Sequence, residues 1–437
     1  MSGPRRPLGR LTPATSPNDD LAAPTGGILF VAHRVPYPPD KGDRIRSYHL
    51  LAHLARHGPV DLIYPADEPM DNATAEALGR LCRRVEAVPI RRLDRWVRTA
   101  WSLLIGRSLT EGYFTSVRLR SMVTQWLKKI QYDTIFCFSS GALPNLSVDG
   151  LDNRLIIDLV DVDSQKWDDY SRRERGPRAS IFRLEARRVA ELERSAGRAR
   201  VVSLATNREA ELYRSICPAA RVEVVQNGVD LDYYRPVGSF VDTNRLVFVG
   251  QLDYHANVIS LSWFCRQVWP AIRAAIPTAT FRIVGRNPTL TIRQLSEQAG
   301  IEVVGSVADV RPELTNARIV VVPLLVARGV QNKVLEAMAM GRAIVASPEA
   351  LEGISLTLNR DAIAAATVED WVRSITYLWT DEQGRKVIGE AARRFVECNH
   401  RWESTLSRID PYIFRSIENR GDGDRLGSAG WPDGGDA

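Results

Sequence analysis

The sequence has few cysteines and no long apolar run. These two absences argue against a disulfide-bonded protein and against a membrane-spanning one. Its 437 residues include five scattered cysteines, with no CxxC pair: Cys82, Cys137, Cys217, Cys265 and Cys398. This pattern argues against a disulfide framework or a zinc site and favours a reducing, cytoplasmic compartment. No stretch approaches the roughly 18–20 apolar residues that would span a bilayer. No GxGxxG follows the first strand of either half, which disfavours a dinucleotide dehydrogenase.

Both ends of the chain lack the patterned apolar residues that build a core. Residues 1–26 carry arginines without the apolar segment of a secretory signal. We expect a disordered leader over residues 1–26 and a disordered tail over residues 418–437.

The net charge is modestly positive, because 58 Lys and Arg oppose 52 Asp and Glu to give +6. This balance fits acidic partners such as nucleotide phosphates or anionic lipid, without choosing between them. Charges alternate in sign along RLEARRVAELERSAGRARV, which predicts a solvated amphipathic helix and gives no support for nucleic-acid binding.

Between the ends, short apolar runs alternate with amphipathic helical stretches. The first half contains GGILFVAH, VDLIYPA, YDTIFCFSS, RLIIDLVD and ARVVSLAT. After VEVVQNGVDLDYYRP the pattern restarts with RLVFVGQL, TATFRIVG, IEVVGS, ARIVVVPL and RAIVAS. This alternation predicts an α/β chain of two Rossmann-like, doubly wound domains facing a cleft, residues 27–225 and 226–395. A last helix, residues 396–417, is predicted to cross back to the first domain.

Ligands of open parallel sheets bind beyond the carboxyl ends of the strands, so loops that follow strands are candidate sites. The segment VARGVQNKVLEAMAMG, residues 326–341, follows the strand ARIVVVPL. It predicts a helix with Asn332 as N-cap, Lys333 at the first helical position and Gly341 at its end.

The start of this predicted helix suits a phosphate, because its backbone N–H groups are free and its dipole end is positive. Gly329 permits close approach of the backbone, and Arg328 and Lys333 add charge. Glu336, an acid among apolar neighbours, is a candidate acceptor for two ribose hydroxyls. The alternative is that Glu336 only complements the helix dipole.

The motif LEAMAMG followed by AIVAS resembles the donor-binding helix of the family-4 retaining glycosyltransferases, which have the two-domain GT-B fold. QNGVDLDYYRP, VFVGQLDY, FRIVG and VVGSVADVRPEL resemble further segments of that family. The longer phrases PYPPDKGDRIRSYHLL, DLVDVDSQKW, GQLDYHANV and ARGVQNKVLEAMAMGR resemble a subgroup, the sugar transferases associated with exosortase and PEP-CTERM exopolysaccharide systems.

The resemblance implies that Glu336 binds the donor ribose. Arg328 occupies the position of the family's other glutamate, where a guanidinium would instead bind phosphate. Gln251 replaces the family's usual arginine beside the diphosphate, and His255 is the nearby candidate, either as a ligand contact or as a helix-capping loop histidine. The remaining donor-binding candidates lie in matching loops: Gly250, Gly285, Arg286, Val330 and Asn332.

In the first half, PPDKGDRIRS follows the first strand. Gly42 occupies the family's glycine-rich turn and is expected to contact phosphate or acceptor. Asp43 is expected to cap the next helix, and Lys41, Arg44 and Arg46 to face the cleft. The alternative is a rigid proline turn with solvated arginines.

The loop DLVDVDSQKW places Asp161 where the family usually has a histidine near the transferred sugar. An acid there would position sugar hydroxyls or stabilise oxocarbenium charge. Asp161-Val162-Asp163 also resembles a metal-binding DxD motif, but the GT-B resemblance argues against metal. The alternative for Asp163 and Ser164 is helix capping.

The stretch RRLDRWVRTAWSLLIGRSL mixes tryptophan, leucine and arginine at helical spacing. It predicts either a helix lying on an anionic membrane, where a lipid-linked acceptor is found, or a helix packed into the first domain.

The sequence therefore predicts a retaining, metal-independent hexosyltransferase of exopolysaccharide biosynthesis, needing no cofactor besides its nucleoside-diphosphate-sugar donor. The acceptor is expected to be a glycan or a polyprenyl-linked sugar at the cytoplasmic face of the inner membrane. Asp161, Lys333 and Arg328 are the predicted catalytic residues. The alternatives are a non-catalytic nucleotide-sugar or glycan-binding component and a GT-B sugar-nucleotide epimerase.

Overall fold

The computed structural model describes residues 26–67, 69–151, 153–236 and 243–413. The predicted leader, Gly26 apart, and the predicted tail lie outside the described residues. In the described part, the chain forms two separate, fully parallel sheets.

The first sheet has seven strands in the order β3-β2-β1-β4-β5-β6-β7. These are β1 (Ile28–Ala32), β2 (Val60–Ala66), β3 (Arg84–Pro89), β4 (Thr134–Phe138), β5 (Leu155–Val160), β6 (Val201–Leu204) and β7 (Val222–Val224). Strand β1 lies in the middle, with Phe30 opposite Leu62 of β2 and Phe136 of β4.

The second sheet has six strands in the order β10-β9-β8-β11-β12-β13. These are β8 (Arg245–Val249), β9 (Thr280–Val284), β10 (Ile301–Gly305), β11 (Ile319–Val322), β12 (Ile344–Ala346) and β13 (Ile363–Ala364).

Helices connect the strands and cover both faces of each sheet. Those that accompany the first sheet are α1 (Gly42–Leu54), α2 (Asn72–Gly79), α3 (Arg92–Leu104), α4 (Leu109–Phe114), α5 (Val117–Lys129), α6 (Asp163–Arg173), α7 (Pro177–Ala196) and α8 (Asn207–Ile216). The rest are α9 (His255–Trp263), α10 (Trp269–Ala275), α11 (Leu290–Gln294), α12 (Arg311–Thr315), α13 (Asn332–Ala339), α14 (Pro348–Leu351), α15 (Val368–Thr380), α16 (Glu382–Asn399) and α17 (Trp402–Leu406).

Burial on both faces explains why the central strands are continuous apolar runs. All five residues of β1 are buried, and successive side chains enter opposite layers. Leu29 and Val31 pack into one layer, whereas Ile28 and Phe30 pack into the other. The strands predicted from the apolar runs are confirmed.

Three strands, β3, β7 and β13, were not predicted from the sequence. Each lies at an edge of its sheet, where one side is unpaired. Strand β3 is mostly half-exposed, and β7 and β13 have three and two residues. Short, half-exposed strands do not need the continuous apolar run that identifies a central strand.

The predicted C-terminal crossing is confirmed, but the helix is not continuous. Helix α16 packs on α13 beside the second sheet, and the chain then breaks at His400. Trp402 and Leu406 of α17 pack against the first sheet's core and α1. Residues 414–417 of the predicted helix lie outside the described residues.

The predicted amphipathic helix is confirmed as α7, but two of its acidic side chains are not solvated. Glu185 accepts hydrogen bonds from the backbone N–H groups of Leu109 and Thr110, at the start of α4. Glu193 accepts from the N–H and hydroxyl groups of Ser164, at the start of α6. Both glutamates are buried. Alternating charge therefore concealed two acids that stabilise neighbouring helix ends.

No helix in the described ranges is long and apolar enough to cross a membrane. All five cysteines are free thiols.

Candidate active site

A cleft of about 1060 Å³ separates the two sheets. Most of its lining comes from the segments that follow the carboxyl ends of nine strands: β1, β4, β5, β6, β7, β8, β9, β10 and β11. The expectation that loops after strands would meet at one site is confirmed.

Two helix starts face each other across the cleft. Helix α13 begins at Asn332 and α1 begins at Gly42, and a Cβ on Gly42 would lie 3.9 Å from Nδ2 of Asn332. Gln331, not Asn332, is the N-cap of α13, so the predicted start was one residue late. Both helices thus direct their positive dipole ends and free N–H groups at the same space.

The close approach of the two helices is fixed by a buried relay. Arg46 on α1 donates from Nε to Asp158 Oδ2 at 2.9 Å and from Nη1 to Asn227 Oδ1 at 2.8 Å. Asn227 Nδ2 donates in turn to Oδ1 of Asn332 at 3.0 Å. The prediction that Arg46 faces the cleft is wrong, because its guanidinium is buried against Asp158.

Helix α13 ends as predicted at Gly341, whose φ of 64° favours glycine. Its N–H donates to the carbonyl of Met338, and the N–H of Arg342 donates to the carbonyl of Ala337. This Schellman end fixes a short helix whose start is free for a ligand.

Lys333 and Glu336 line the cleft in the first turns of α13. Lys333 Nζ donates to Asn257 Oδ1 at 2.7 Å and lies 4.8 Å from the centre of the Phe248 ring. Burial lowers the pKa of Lys333 to about 8, against the opposing charge of Glu336. Burial raises the pKa of Glu336 to about 7, while Lys333 and the Tyr234 hydroxyl favour its anion. The two side chains form a weakly solvated cation and anion on one wall.

Arg328, which follows β11, reaches the opposite wall instead of the start of α13. Its guanidinium pairs with Asp169 of α6 and lies 3.9 Å from Oε1 of Glu209 on α8. Arg328 lines the cleft, but two carboxylates of the first sheet's helices already share its charge.

Asp161 lies on that opposite wall, directly after β5. Burial, together with the charges of Glu209 and Asp163, raises the pKa of Asp161 to about 7. Its Oδ1 atom has no hydrogen-bond donor among the described residues, whereas Asp163 accepts from the Ser140 hydroxyl. An unpaired buried carboxylate oxygen is costly, which makes it a candidate for contact with a ligand.

The backbone at the strand ends on this wall is strained. Val160 has φ of 69° and Ser139, after β4, has φ of 76°. A β-branched residue at positive φ is rare, and such strain concentrates at functional sites. Gly329 faces Asp161 at φ of 63°, and a Cβ there would lie 2.8 Å from Asp161 Oδ1. Glycine at position 329 thus lets the two walls meet.

Asp43 does not cap α1. The N-cap is Lys41, whose side chain makes no capping hydrogen bond. Asp43 instead lies 3.0 Å from Arg34 and 3.5 Å from His33 Nε2. Burial alone would raise the pKa of Asp43, but His33 and Arg34 hold it well below its usual range. Burial lowers the pKa of His33, which stacks on Phe138 and lines the cleft.

Some of the other predicted residues line the cleft and some do not. Gly250, Gly285, Arg286 and Val330 line the cleft. A Cβ on Gly285 would lie 1.6 Å from the carbonyl oxygen of Gly250, so this position requires glycine.

Arg44 and His255 lie outside the described lining of the cavity. Arg44 pairs with Asp40 at 3.4 Å, and His255 is exposed at the start of α9, whose N-cap is Tyr254. Asp40 also pairs with Arg286, which ties the proline-rich loop to the second sheet.

Sequence reasoning missed His33, Asn227, Asn257 and Tyr234 as site residues. His33 directly follows the first strand, a position that could have identified it. The others carry no local signal, because each acquires its role from a partner distant in sequence.

Comparisons with known proteins identify a family domain in one part of the chain and a fold shared by nearly all of it. A family profile described as Glycosyl transferases group 1 matches residues 243–381, which hold the second sheet and its helices. No curated protein sequence gives a significant match to the chain.

Solved structures resemble nearly the whole chain. Sucrose-phosphate synthase from Thermosynechococcus elongatus is 16% identical, with a TM-score of 0.65 over 91% of this chain and 100% of that one. HepE of Anabaena, in complex with UDP and glucose, is 14% identical, with a TM-score of 0.62 over 89% and 99%. TarM of S. aureus, in complex with Fondaparinux, alpha-GlcNAc-glycerol and UDP, is 10% identical, with a TM-score of 0.62 over 89% and 99%.

The chain has the GT-B fold. The predicted fold class is confirmed. At identities this low, the comparisons establish the architecture, and the activity has to be argued from the residues of the cleft.

Proposed function

We propose that this protein is a glycosyltransferase that moves a sugar from a nucleoside diphosphate to a glycan or lipid-linked acceptor. The observation that carries the proposal is the meeting of two helix starts beside Lys333 and Glu336 in a cleft between parallel sheets. The Glycosyl transferases group 1 match over residues 243–381 supports it. Neighbouring structures that hold UDP with a sugar or glycan support the choice of donor.

The donor diphosphate is proposed to lie between the starts of α1 and α13. There it would accept hydrogen bonds from free backbone N–H groups and from Lys333. Glu336, about one turn into α13, would accept hydrogen bonds from two ribose hydroxyls. Because Arg328 is already paired with Asp169, Lys333 is proposed to neutralise the diphosphate charge, and Arg328 to tie the two walls together.

The sugar is proposed to face Asp161. As the bond from C1 to the phosphate oxygen breaks, its electron pair leaves with the diphosphate and positive charge develops on the sugar ring. The ionised Asp161 stabilises that charge. The acceptor oxygen bonds to C1 on the same face, and its proton passes to the departing phosphate oxygen. We propose retention of configuration and no metal, in keeping with the resemblance of LEAMAMG to retaining family-4 enzymes.

A thermal-shift panel of UDP, GDP, ADP, TDP and their common sugar conjugates, with and without EDTA, tests donor binding. We expect one base to raise the unfolding midpoint, with the ligand-induced shift unchanged by EDTA. Release of the free diphosphate should then require an acceptor. Conversion of the donor without acceptor would indicate an epimerase. Binding without turnover would indicate a non-catalytic component.

We further propose that α3 contacts an anionic membrane, because its apolar side chains face outward. Leu93, Trp96, Val97, Trp101 and Leu104 are 80%, 67%, 68%, 59% and 77% exposed. The side that packs on α4 is polar: Arg95 donates to the Tyr113 hydroxyl and lies over its ring, and Ser102 lies against Gly112. An outward apolar stripe is the reverse of a helix that packs on a core.

Arginines flank this stripe, with Arg91 before α3 and Arg107 after it, both exposed. Tryptophan beside arginine suits the interface of an anionic bilayer. This location would bring the cleft near a polyprenyl-linked acceptor at the cytoplasmic face of the inner membrane, consistent with the proposed role in exopolysaccharide biosynthesis.

Co-sedimentation with vesicles tests the membrane contact. We expect binding to phosphatidylglycerol-containing vesicles that weakens with salt, and little binding to pure phosphatidylcholine. Replacing Trp96 and Trp101 by serine should abolish it. Leu290→Ser, at an equally exposed leucine near the second sheet, is the control and should bind as the wild type does. Equal binding by the tryptophan variant would refute the assignment.

A further inference from the structure

Three side chains of types that can bind a metal ion lie together outside the lining of the cleft, where the C-terminal segment meets α1. His53 and His57 stand four residues apart on one face of α1 and the turn that follows it. Asp410, just after α17, projects onto both imidazoles. Among the described residues, these ligand atoms converge within 4.8 Å of one another.

The three atoms are spaced almost as a tetrahedral ion requires. Bonds of about 2.0–2.2 Å to nitrogen and oxygen, at tetrahedral angles, set ligand atoms roughly 3.3–3.5 Å apart. The Nε2 atoms of His53 and His57 are 3.3 Å apart, and Nε2 of His57 is 3.2 Å from Asp410 Oδ1. The remaining edge, from His53 Nε2 to the same oxygen, is 2.6 Å. A small rotation of the Asp410 carboxylate would open that edge.

The same Nε2 atom of each imidazole faces the same carboxylate oxygen. To donate to it, each Nε2 must carry a hydrogen, which places two N–H groups side by side on one acceptor atom. A divalent ion that replaces both hydrogens would instead bind two nitrogen lone pairs and the anionic oxygen. His53 is buried and His57 and Asp410 are half-buried, so the group is partly enclosed and still open to entry from solvent.

We propose that His53, His57 and Asp410 bind a zinc ion that fastens the C-terminal segment to α1. Two imidazoles and one carboxylate suit Zn²⁺, with water at the fourth position. His53 and Asp410 are 357 residues apart in the sequence, so an ion bound to both would close a very long loop of the chain. The low cysteine count argued against a zinc site, but this site uses no cysteine.

The site is separate from the proposed sugar transfer, because none of its three side chains lines the cleft. Trp402 of the same C-terminal segment stacks on His49, one turn before His53 on α1, and this stacked pair lies at the edge of the cleft. The zinc ion would thus reinforce an apolar contact that already joins the two parts of the chain. It would stabilise the folded protein without touching the donor.

Zinc titration of the tag-free, full-length protein after chelator treatment tests the proposal. We expect one Zn²⁺ per chain by calorimetry and, at saturation, a rise in the unfolding midpoint of roughly 2–4 °C. His57→Gln and Asp410→Asn should both lose the binding. His255→Gln, at an exposed histidine on α9, should keep it.

Two further measurements distinguish zinc binding at this site from zinc binding elsewhere on the protein. Co²⁺ should give the intense visible band of four-coordinate nitrogen and oxygen ligation in the wild type and not in His57→Gln. Cys398→Ser removes the one exposed thiol of the described residues and should leave binding unchanged. Circular dichroism in chelator should show equal folding of all the variants.

The proposal fails if the wild type binds no zinc at one equivalent, if His57→Gln binds as tightly, or if Cys398→Ser removes the binding. The shift caused by the nucleoside diphosphate should be the same with zinc and with EDTA. That comparison keeps the metal site and the transferase proposal independently testable.

Discussion

The two walls of the cleft are built in different ways. On the second sheet's side, the groups that would hold the donor come from one segment, residues 329–336, at the start of α13. On the first sheet's side, Asp161 and Asp163 follow β5 and Glu209 lies on α8, and the three form a cluster of acids. Cations reach this acidic wall from both sides, because Lys166 lies beside it and Arg328 crosses from the other wall.

This difference indicates a division of roles. The wall formed by one helix start provides fixed donors, a cation and an anion, which suits the unchanging part of a donor, its nucleoside diphosphate. The wall assembled from several strands provides an acid with a raised pKa, which suits the reacting sugar.

Removing the acid of the second wall should have the largest effect on donor binding. Glu336→Gln keeps the shape of the side chain but weakens acceptance from ribose hydroxyls. We expect about 100-fold weaker binding of the nucleoside diphosphate, which corresponds to about 2.7 kcal/mol. Calorimetry would measure it, with Glu297→Gln, an exposed acid near the second sheet, as control. Unchanged affinity in Glu336→Gln would remove the ribose assignment.

The acidic wall should control the pH dependence of turnover more than that of binding. The raised pKa of Asp161, about 7, means that it is protonated below that pH, so kcat should rise as pH increases through about 7. Lys333 loses its proton above about pH 8, so activity should fall there. Asp161→Asn should lower kcat roughly 10- to 100-fold and remove the acid limb of the profile.

The same substitution should affect stability in the opposite sense. The folded-state pKa of Asp161 lies above its ordinary value of 3.8, so ionising it costs the folded state stability as pH rises from about 4 to about 7. Asp161→Asn should therefore raise the unfolding midpoint at pH 8 and change it little at pH 4. An acid limb that persists in Asp161→Asn would assign it to another group.

The smallest effect on donor affinity is expected from Arg328→Gln. If Arg328 ties the walls together, its loss should lower stability by about 1 kcal/mol, given partial exposure, and leave diphosphate affinity within about threefold. Adding Asp169→Asn to Arg328→Gln should lower the stability little further, because the ion pair is already broken. Arg266→Gln, at an exposed arginine near the second sheet, is the control. A tenfold loss of diphosphate affinity in Arg328→Gln would instead support the phosphate role predicted from the sequence.

The contrast between the walls also explains what could be predicted from the sequence. Residues 326–341 contain a glycine, a lysine, an acid and a terminating glycine in one short segment, so its helix could be predicted from local pattern. Helix α13 forms there, with its start shifted by one residue. The central strands were equally readable, because burial on both faces demands continuous apolar runs.

The first wall could not be read in the same way. Arg46 looked like a cleft residue, but the sequence does not reveal that Asp158, 112 residues away, would bury it. Asn227 joins Arg46 to Asn332 through contacts that exist only after the two sheets are in place. The pairing of Arg328 with Asp169 is of the same kind, since residues 159 positions apart leave no local pattern.

Hydrogen–deuterium exchange with and without the nucleoside diphosphate selected by the panel shows whether the diphosphate binds at the two helix starts. The free N–H groups at the starts of α1 and α13 are the proposed diphosphate ligands, so we predict protection of residues 42–44 and 332–333 together. Glu336→Gln should lose this protection at the same ligand concentration. Protection confined to other parts of the chain, or none at saturating ligand, would contradict the account.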